Sequence, residues 1–281
     1  MTTHVIPQSP SLQINSSGAL RVSVTSWVLV VLIGQWFFSF YLVALYAIPF
    51  LSGHPENINS AGMITGYVDG DGLGNGILFA HVIPAAILSF CGVLQLVPQL
   101  RSQCPGLHRW NGRLFLVMGL MGAFSGLYLN WVRGSRLSDF GSLGITLNGL
   151  LIPLAVALAW RFALKRDFVE HRRWAIHSFL LVNGVWTFRL YLMGWYMVNL
   201  GPNGNTQNLD GPADIAISYA CYLLPMAVAE LVFWAQRQQQ TWKQWWVSGL
   251  MAMGFLITLG GIAATTLMMW IPRAKMALGM V

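Results

Sequence analysis

The chain has 281 residues, of which 56% are hydrophobic and 9% are charged, and its formal net charge is +7. An ordinary soluble domain carries roughly a quarter charged residues, so the composition excludes a compact water-soluble fold and predicts a protein that uses the lipid bilayer as its solvent. The positive charge lies in short clusters between apolar segments, as it does in the loops of membrane proteins. This distribution excludes a nucleic-acid partner.

Seven apolar segments reach about the 20 residues that a helix needs to cross a bilayer. Backbone groups in hydrocarbon must bond within their own segment, so these segments are predicted to be helices. The sequence predicts an all-α, polytopic transmembrane bundle of about seven helices, with a tail at 1–21 and one transmembrane domain over 22–281. In chain order the predicted helices are 22–51, 75–98, 111–132, 142–163, 173–199, 213–235 and 246–271.

The loops that follow the second, fourth and sixth predicted helices carry most of the basic residues. Because lysine and arginine concentrate in cytoplasmic loops, these loops and the N-terminal tail are predicted to be cytoplasmic. Arg273 and Lys275 then fall on the outer side, against the rule. The basic loop residues are Arg101, Arg109, Arg113, Arg161, Lys165, Arg166, Arg172, Arg173, Arg237 and Lys243.

The second and third predicted helices carry polar residues at membrane depth. His81 lies several residues inside the second, toward the outer side. One face of the third carries His108, Asn130 and three glycines and is nearly free of bulk, at 100° per residue. Such a face lets a flat cofactor approach, or it lets another helix pack closely, as small residues do in membranes. The three glycines are Gly119, Gly122 and Gly126.

The fifth predicted helix places His171 and Arg189 on one face and His177 on another, about a third of a turn away. His171 and His108 lie at the predicted cytoplasmic interface, where a histidine can simply be solvated or contact lipid headgroups. Arg189 lies inside the apolar boundary, toward the same outer side as His81. Burying such groups in a membrane is costly, so a facing partner, a water-filled pocket or a ligand is expected beside them.

The sixth predicted helix contains Glu230, the only acid deep in a predicted membrane segment. It lies near the cytoplasmic end of that helix, so its carboxylate is expected to extend to the interface and be solvated there.

Three blocks of sequence resemble the signature of a family of bacterial integral membrane proteins defined by a domain of unknown function. The family is distantly similar to the diheme cytochrome b561 and ferric-reductase transmembrane superfamily, and the blocks lie within 75–195. They are His81-Val-Ile with Gly92-Val-Leu-Gln95, His108-Arg-Trp-Asn-Gly112-Arg113, and His171-Arg-Arg-Trp174 with His177 and Thr187-Phe-Arg189-Leu-Tyr191.

This resemblance implies a bacterial inner-membrane protein whose second to fifth helices form a four-helix, cytochrome-b-like core. That core would carry haem b and pass electrons across the membrane. One inner haem is expected rather than two, because His81 alone lies toward the outside. Its axial ligands would be His108 and His177, with His171 as the alternative to His177. Three arginines would pair with its propionates, namely Arg109, Arg113 and Arg172.

An outer polar set would bind a quinol or another small redox donor in the same scheme. It consists of His81, Asn130, Trp186 and Arg189. Imidazole is suited to accept the proton that is released with each electron, so His81 would take that role.

Two functions of different classes follow from these residues. The first is a haem-b-dependent electron-transfer protein, a membrane oxidoreductase that oxidises a quinol or reduces a metal or a small acceptor. The second is a non-redox transporter or accessory subunit whose buried histidines and arginines bind an anionic ligand or lipid. A redox partner subunit or a homodimer is left open. The absorption spectrum of the purified protein would separate the two functions.

Overall fold

The computed structural model describes residues 15–61 and 66–280, with side chains described over 15–59 and 66–280. Within these ranges the protein consists of helices and loops without strands, which confirms the predicted all-α bundle. Residues 1–14 of the predicted tail lie outside the described residues, and the first helix begins earlier than predicted. The main helices are α1 (Ser16–Leu51), α2 (Gly72–Leu96), α3 (Pro105–Trp131), α4 (Asp139–Leu164), α5 (Phe168–Val182), α6 (Gly184–Val198), α7 (Pro212–Gln236) and α8 (Thr241–Ala277).

Four helices begin at a side chain that caps a backbone N–H group, which explains where they start. Asn15 accepts a hydrogen bond from the Gly18 N–H in α1, and Asp71 accepts one from the Gly74 N–H in α2. Ser138 and Asp167 cap α4 and α5 in the same way. Such side chains satisfy N–H groups that have no partner within the helix. The early cap at Asn15 is why α1 includes six residues that were predicted to belong to the tail.

Helices α1 and α8 each contain a five-residue π-helical turn, at Val43–Ala47 and Thr266–Trp270. Each turn is followed by an Ile-Pro pair, with Pro49 in α1 and Pro272 in α8. Proline has no N–H group to donate to the carbonyl four residues earlier, so the regular ladder is interrupted there. Helices commonly accommodate such an interruption as a single wider turn, often at a functional site.

Six of the helices are long and apolar enough to cross a membrane, by length and composition. The predicted helix at 173–199 is instead broken into α5 and α6, each of 15 residues, with Asn183 between them. The Asn183 side chain donates to the Phe179 carbonyl at 2.8 Å and accepts from Gln35 Nε2 of α1 at 2.8 Å. Asparagine that bonds nearby backbone groups competes with the helical ladder, and the following Gly184 adds to the break.

Contacts between α1 and α8 show that the two helices run parallel. Ser16 donates to Gln244 at 2.7 Å, and Trp27 donates to Thr258 at 3.2 Å further along both helices. Parallel first and last helices require an odd number of crossings of the bundle. The pair α5–α6 therefore crosses the bundle as one element. Contacts with α7 support this crossing. Arg173 of α5 bonds Glu230 near one end of α7, and Gly184 of α6 packs against Tyr222 further along α7.

The bundle has two chemically different ends. We call the end where α1 begins the basic end, because the loops there, between α2 and α3, α4 and α5, and α7 and α8, carry most of the arginine and lysine residues. The other is the opposite end. Large apolar side chains such as Phe40, Phe124 and Leu150 are at least 60% exposed between the ends, as expected for a surface that contacts lipid. The cytoplasmic location of the basic end is still a prediction.

Candidate functional site

A cavity of about 670 Å³ lies in the half of the bundle nearer the opposite end. This volume is typical of small-molecule sites. Residues of α1, α2, α3, α4, α6 and α8 form its walls, and the loop between α6 and α7 contributes at its outer side. Most lining residues are apolar, including Leu78, Val82, Phe188 and Leu192. The polar and ionisable ones include Tyr41, Tyr46, His81, Asn130, Arg136, Asn148, Asn183, Trp186, Arg189 and Arg273.

The imidazole of His81 has one nitrogen bonded to α3 and one nitrogen without a partner. Nδ1 lies 3.0 Å from the Gly122 carbonyl oxygen and 3.0 Å from Ser125 Oγ. A carbonyl oxygen can only accept a hydrogen bond, so Nδ1 carries the proton that it donates. Nε2 has no hydrogen bond within the described part of the chain, and in the neutral ring it is an acceptor. His81 therefore offers a proton-accepting nitrogen at the cavity wall.

Gly126 makes room for that imidazole. A Cβ at this position would lie 3.1 Å from His81 Cε1, closer than most real contacts. At Gly122, by contrast, a Cβ would meet nothing within 4 Å, and Gly119 lies against Val182 of α5. All three glycines line the cavity. Of the two purposes left open for the glycine face of α3, close packing is found at Gly119, whereas Gly122 borders open space.

Arg189 reaches the cavity from α6 without a carboxylate partner among the described residues. Its Nη1 donates to the Val185 carbonyl at 3.0 Å, and its guanidinium lies 5.4 Å from the centre of the Phe38 ring. Thr265 Oγ1 of α8 lies between the Gly261 carbonyl of its own helix, at 2.7 Å, and the Arg189 carbonyl of α6, at 3.1 Å, and its proton is shared between them. A guanidinium has five N–H donors, so most of the hydrogen-bonding capacity of Arg189 is unused.

The lining residues include three arginines and, among the residues that the structure describes, no aspartate or glutamate. Arg136 is neutralised by Asp139, since its Nε lies 2.5 Å from an oxygen of that carboxylate. Arg189 and Arg273 have no such ion pair within the described ranges. The cavity consequently carries excess positive charge.

Three further polar atoms at the cavity wall are unsatisfied. Asn130 Nδ2, Trp186 Nε1 and Ser135 Oγ are buried and have no hydrogen-bond partner in the part of the protein described here. Buried polar groups of this kind usually have a partner, and a missing one costs about 1–3 kcal/mol. The four residues of the predicted outer set, His81, Asn130, Trp186 and Arg189, therefore share one cavity that is rich in hydrogen-bond donors.

The predicted haem ligands lie elsewhere, and none of them lines this cavity. His177 is buried, and its Nε2 lies 2.6 Å from Glu230 Oε1 of α7. His171 Nδ1 lies 2.9 Å from the Ala159 carbonyl of α4. His108 is partly buried, and its Nδ1 has no partner among the described residues. The structure thus directs His177 and His171 toward α7 and α4 rather than toward α3.

The space between α3 and α5, where a haem was expected, is occupied by side chains. The rings of Phe115 and Phe179 stack between the two helices with their centres 6.0 Å apart, and Val182 lies against Gly119. With His177 bonded to Glu230 as well, the residues present do not fit a haem held by His108 and His177.

The arginines expected to hold haem propionates are not gathered around a common site. Arg113 lies over the Trp110 ring at 5.3 Å, Arg172 lies over the Phe233 ring at 5.6 Å, and Arg109 is exposed.

Within the described residues, no three or more His, Cys, Asp or Glu side chains form a group that could hold a metal ion.

The carboxylate of Glu230 was expected to be solvated at the interface, but it is bonded to two side chains of α5. Arg173 binds it through two parallel hydrogen bonds, from Nε at 2.7 Å and from Nη2 at 2.8 Å, and His177 makes a third contact. Arg173 and His177 are four residues apart, so they lie on one face of α5. This spacing is the sequence feature that could have identified them as partners for the acid of α7.

Several cavity residues were not identified from the sequence. Tyr41 and Tyr46 belong to α1, which had been left outside the motif-bearing core, and Asn148 and Asn183 give no distinctive pattern. Arg273 did have a distinctive feature in the sequence, because it is an arginine on the predicted outer side of the membrane, where the charge rule disfavours basic residues. A basic residue that breaks the rule is a reasonable candidate for a functional role.

The fold and the cavity together describe a polytopic α-helical membrane protein whose bundle contains a cavity with excess positive charge. The model of the family described as predicted membrane protein (DUF2306) matches residues 78–233. That region is more than half of the chain, and the protein belongs to this family. The match runs from α2 to α7 and includes His81, Arg189 and Glu230, whereas α1 and Arg273 lie outside it. No curated protein and no solved structure matches the chain.

Proposed function

We propose that the protein binds an amphipathic small molecule whose polar end carries negatively charged, hydrogen-bond-accepting oxygens. The observation that carries this proposal is the cavity of about 670 Å³ with apolar walls, unpaired arginines and no lining acid among the described residues. Such a site has the composition of a ligand pocket, with many apolar contacts and a few polar groups that fix orientation. Binding such a molecule corresponds to the second function predicted from the sequence, that of a non-redox transporter or accessory subunit that binds an anionic ligand or lipid.

Arg189 is the main group for the polar end of the ligand. A cation inside a membrane protein is costly without a counter-charge, and its described contacts are one carbonyl and one aromatic ring. An anionic oxygen would supply the missing charge and accept several of the free N–H bonds. Asn130 Nδ2 and Trp186 Nε1 would donate to the same molecule.

His81 contributes differently from the arginine. Because its Nδ1–H is used by the Gly122 carbonyl, its Nε2 is left to accept a proton or a hydrogen bond from a hydroxyl group of the ligand. This nitrogen is the one feature that favours a second candidate, a quinol that loses its proton to His81. The quinol and the haem that would take its electrons are both predictions of the sequence.

A headgroup series tests the main proposal. We would titrate the purified protein with dodecanoate and with dodecanol, which have the same chain length and differ in charge, and count bound ligand by native mass spectrometry. Dodecanoate should bind about tenfold or more tightly than dodecanol, because hydrogen bonds to charged groups contribute about 1.5–3 kcal/mol. Equal binding of the acid and the alcohol would contradict the proposal.

The variant Arg189→Gln removes the charge at the site, and Arg237→Gln removes one from an exposed position at the basic end. Arg189→Gln should abolish the preference for dodecanoate, and Arg237→Gln should preserve it. Without ligand, Arg189→Gln should not lower the melting temperature, since it removes a charge that has no counter-charge at the cavity. A large loss of stability would assign Arg189 to the fold instead.

An absorption spectrum and a pyridine haem assay test the electron-transfer candidate on the same preparation. A Soret band that shifts on reduction would support electron transfer, and the packing of Phe115 against Phe179 would then place the haem outside the space between α3 and α5. Oxidation of a short-chain quinol that is lost in His81→Ala, with the haem spectrum unchanged, would assign proton acceptance to His81.

A further inference from the structure

A second unpaired arginine reaches the cavity from the far end of α8. Arg273 follows the π-helical turn at Thr266–Trp270 by three residues, and it lines the same cavity as Arg189. Arg189 lies over the Phe38 ring at 5.4 Å, and that ring packs against Trp270, three residues before Arg273, with the ring centres 5.6 Å apart. The two guanidinium groups therefore lie in the same part of the cavity. Like charges repel strongly where water is scarce, so the pair is unfavourable unless an anion lies between or beside its members.

Two tyrosines of α1 complete this part of the wall. Tyr46 lies within the π-helical turn at Val43–Ala47, and Tyr41 lies just before it. Both line the cavity, and the Tyr41 ring stacks on Phe38, the ring over which Arg189 lies. Neither hydroxyl is hydrogen-bonded within the described residues, so each is available to donate to a ligand. The segments of α1 and α8 at and beside these irregular turns thus place two phenols and a guanidinium on the cavity that Arg189 also lines.

From this arrangement we infer that the polar end of the ligand is a phosphate group rather than a carboxylate; the inference rests on the proposed function. A single guanidinium can saturate the two oxygens of a carboxylate through a bidentate pair. A phosphate monoester carries about −1.5 to −2 charges near neutral pH and three accepting oxygens. Two arginines and two tyrosine hydroxyls match that charge and that number of acceptors.

Free phosphate and the phosphate headgroup of a lipid share this chemistry. The apolar wall around Leu78 and Val82 would remain uncovered by free phosphate, whereas an alkyl chain would fill it. The expected ligand is therefore a phosphate monoester attached to a hydrocarbon chain.

The test compares dodecyl phosphate, dodecanoate and inorganic phosphate at pH 8, with the full-length protein in detergent. Dodecyl phosphate should bind about tenfold or more tightly than dodecanoate, as expected for additional charge-assisted bonds. Arg273→Gln should remove this preference, because it should weaken the binding of dodecyl phosphate about tenfold more than the binding of dodecanoate. Arg273→Lys should retain part of the preference, because it keeps the charge without the planar fork. Lys275→Gln, an exposed position on the same turn, is the control and should behave as the unaltered protein.

Equal affinity for the two amphiphiles, or equal weakening of both by Arg273→Gln, would overturn the phosphate assignment and leave the proposed function standing. Failure of both amphiphiles to bind would overturn the proposed function as well. Competition by millimolar inorganic phosphate distinguishes the sources of the phosphate. Displacement of dodecyl phosphate would overturn the need for a chain, and lack of displacement would support a lipid phosphate. The headgroup comparison on the unaltered protein stays decisive if Arg273→Gln does not fold.

Discussion

The ion pair between α5 and α7 gives a prediction whose magnitude can be worked from the contacts. Glu230→Gln removes the charge that receives two hydrogen bonds from Arg173, at 2.7 and 2.8 Å, and that lies 2.6 Å from His177 Nε2. Hydrogen bonds to charged groups contribute about 1.5–3 kcal/mol each. The side chains of Glu230 and Arg173 are 33% and 40% exposed, so screening reduces the sum. We expect a loss of about 1.5–3 kcal/mol in the free energy of unfolding.

Glu170 provides a matched control on the same arginine. Its carboxylate lies 3.7 Å from Arg173 Nη1, three residues earlier on α5, which is too far for a hydrogen bond. Glu170→Gln should cost about 0.5 kcal/mol or less, as exposed ion pairs do.

The assay is thermal unfolding in detergent. Unfolding is monitored by the reaction of a thiol reagent with Cys221, which is buried in the folded protein. For a chain of this size, 1 kcal/mol shifts the melting temperature by about 2–4 °C. Glu230→Gln should therefore lower it by about 3–12 °C, and Glu170→Gln should lower it by about 2 °C at most. Equal shifts in the two variants would refute the assignment of Glu230 as the partner that holds α5 to α7. A double-mutant cycle with Arg173→Gln should give a coupling free energy of about 1 kcal/mol or more.

Three further predictions test the packing of α4 against α7, the helix break at Asn183 and the orientation of the protein in the membrane. Gly144→Ala should destabilise the protein by about 1–3 kcal/mol, because its Cβ would meet the backbone of Ser218 in α7 at 2.9 Å; Gly122→Ala, with nothing within 4 Å, should be neutral or stabilising in the same melting assay. Asn183→Ala should cost about 1–3 kcal/mol, because Gln35 would lose its partner in the core. Cys104 is exposed near the basic end, so an impermeant maleimide should label it in inside-out vesicles and not in intact cells. Labelling from outside would show that the predicted orientation is wrong.

The class of fold could be predicted from composition because the apolar segments are long and nearly free of charge. The break at Asn183 could not, because it depends on hydrogen bonds that reach α1 and α5 at once. The segment 173–199 is long enough to cross a bilayer as one helix, so the sequence alone favours a single helix. The π-helical turns have a local cause in Pro49 and Pro272, but proline inside a membrane helix is also compatible with a simple kink.

The candidate site was predictable in part, for a definite reason. His81 and Arg189 were identified because an ionisable group at membrane depth needs a partner, and this argument requires only the position along a helix. The direction in which His177 points depends on which face of α5 meets which neighbouring helix. Helix α3 does lie beside α5, through Phe115 and Phe179, but His177 lies on the face that meets α7, where it contacts Glu230. The sequence does not specify which face of α5 meets α3 and which meets α7.

The contrast between paired and unpaired arginines is the strongest argument for a ligand at the cavity. Elsewhere in the described part of the bundle, arginines that approach the interior are matched by acids, as Arg133 is by Asp71 and Arg173 is by Glu230. The protein thus has the means to neutralise a buried guanidinium with its own side chains. Arg189 and Arg273 have no such acid, and they lie together on the cavity that also holds unsatisfied donors. Stability alone would not favour such an arrangement, whereas an incoming anion would turn each of these unfavourable groups into a binding contact.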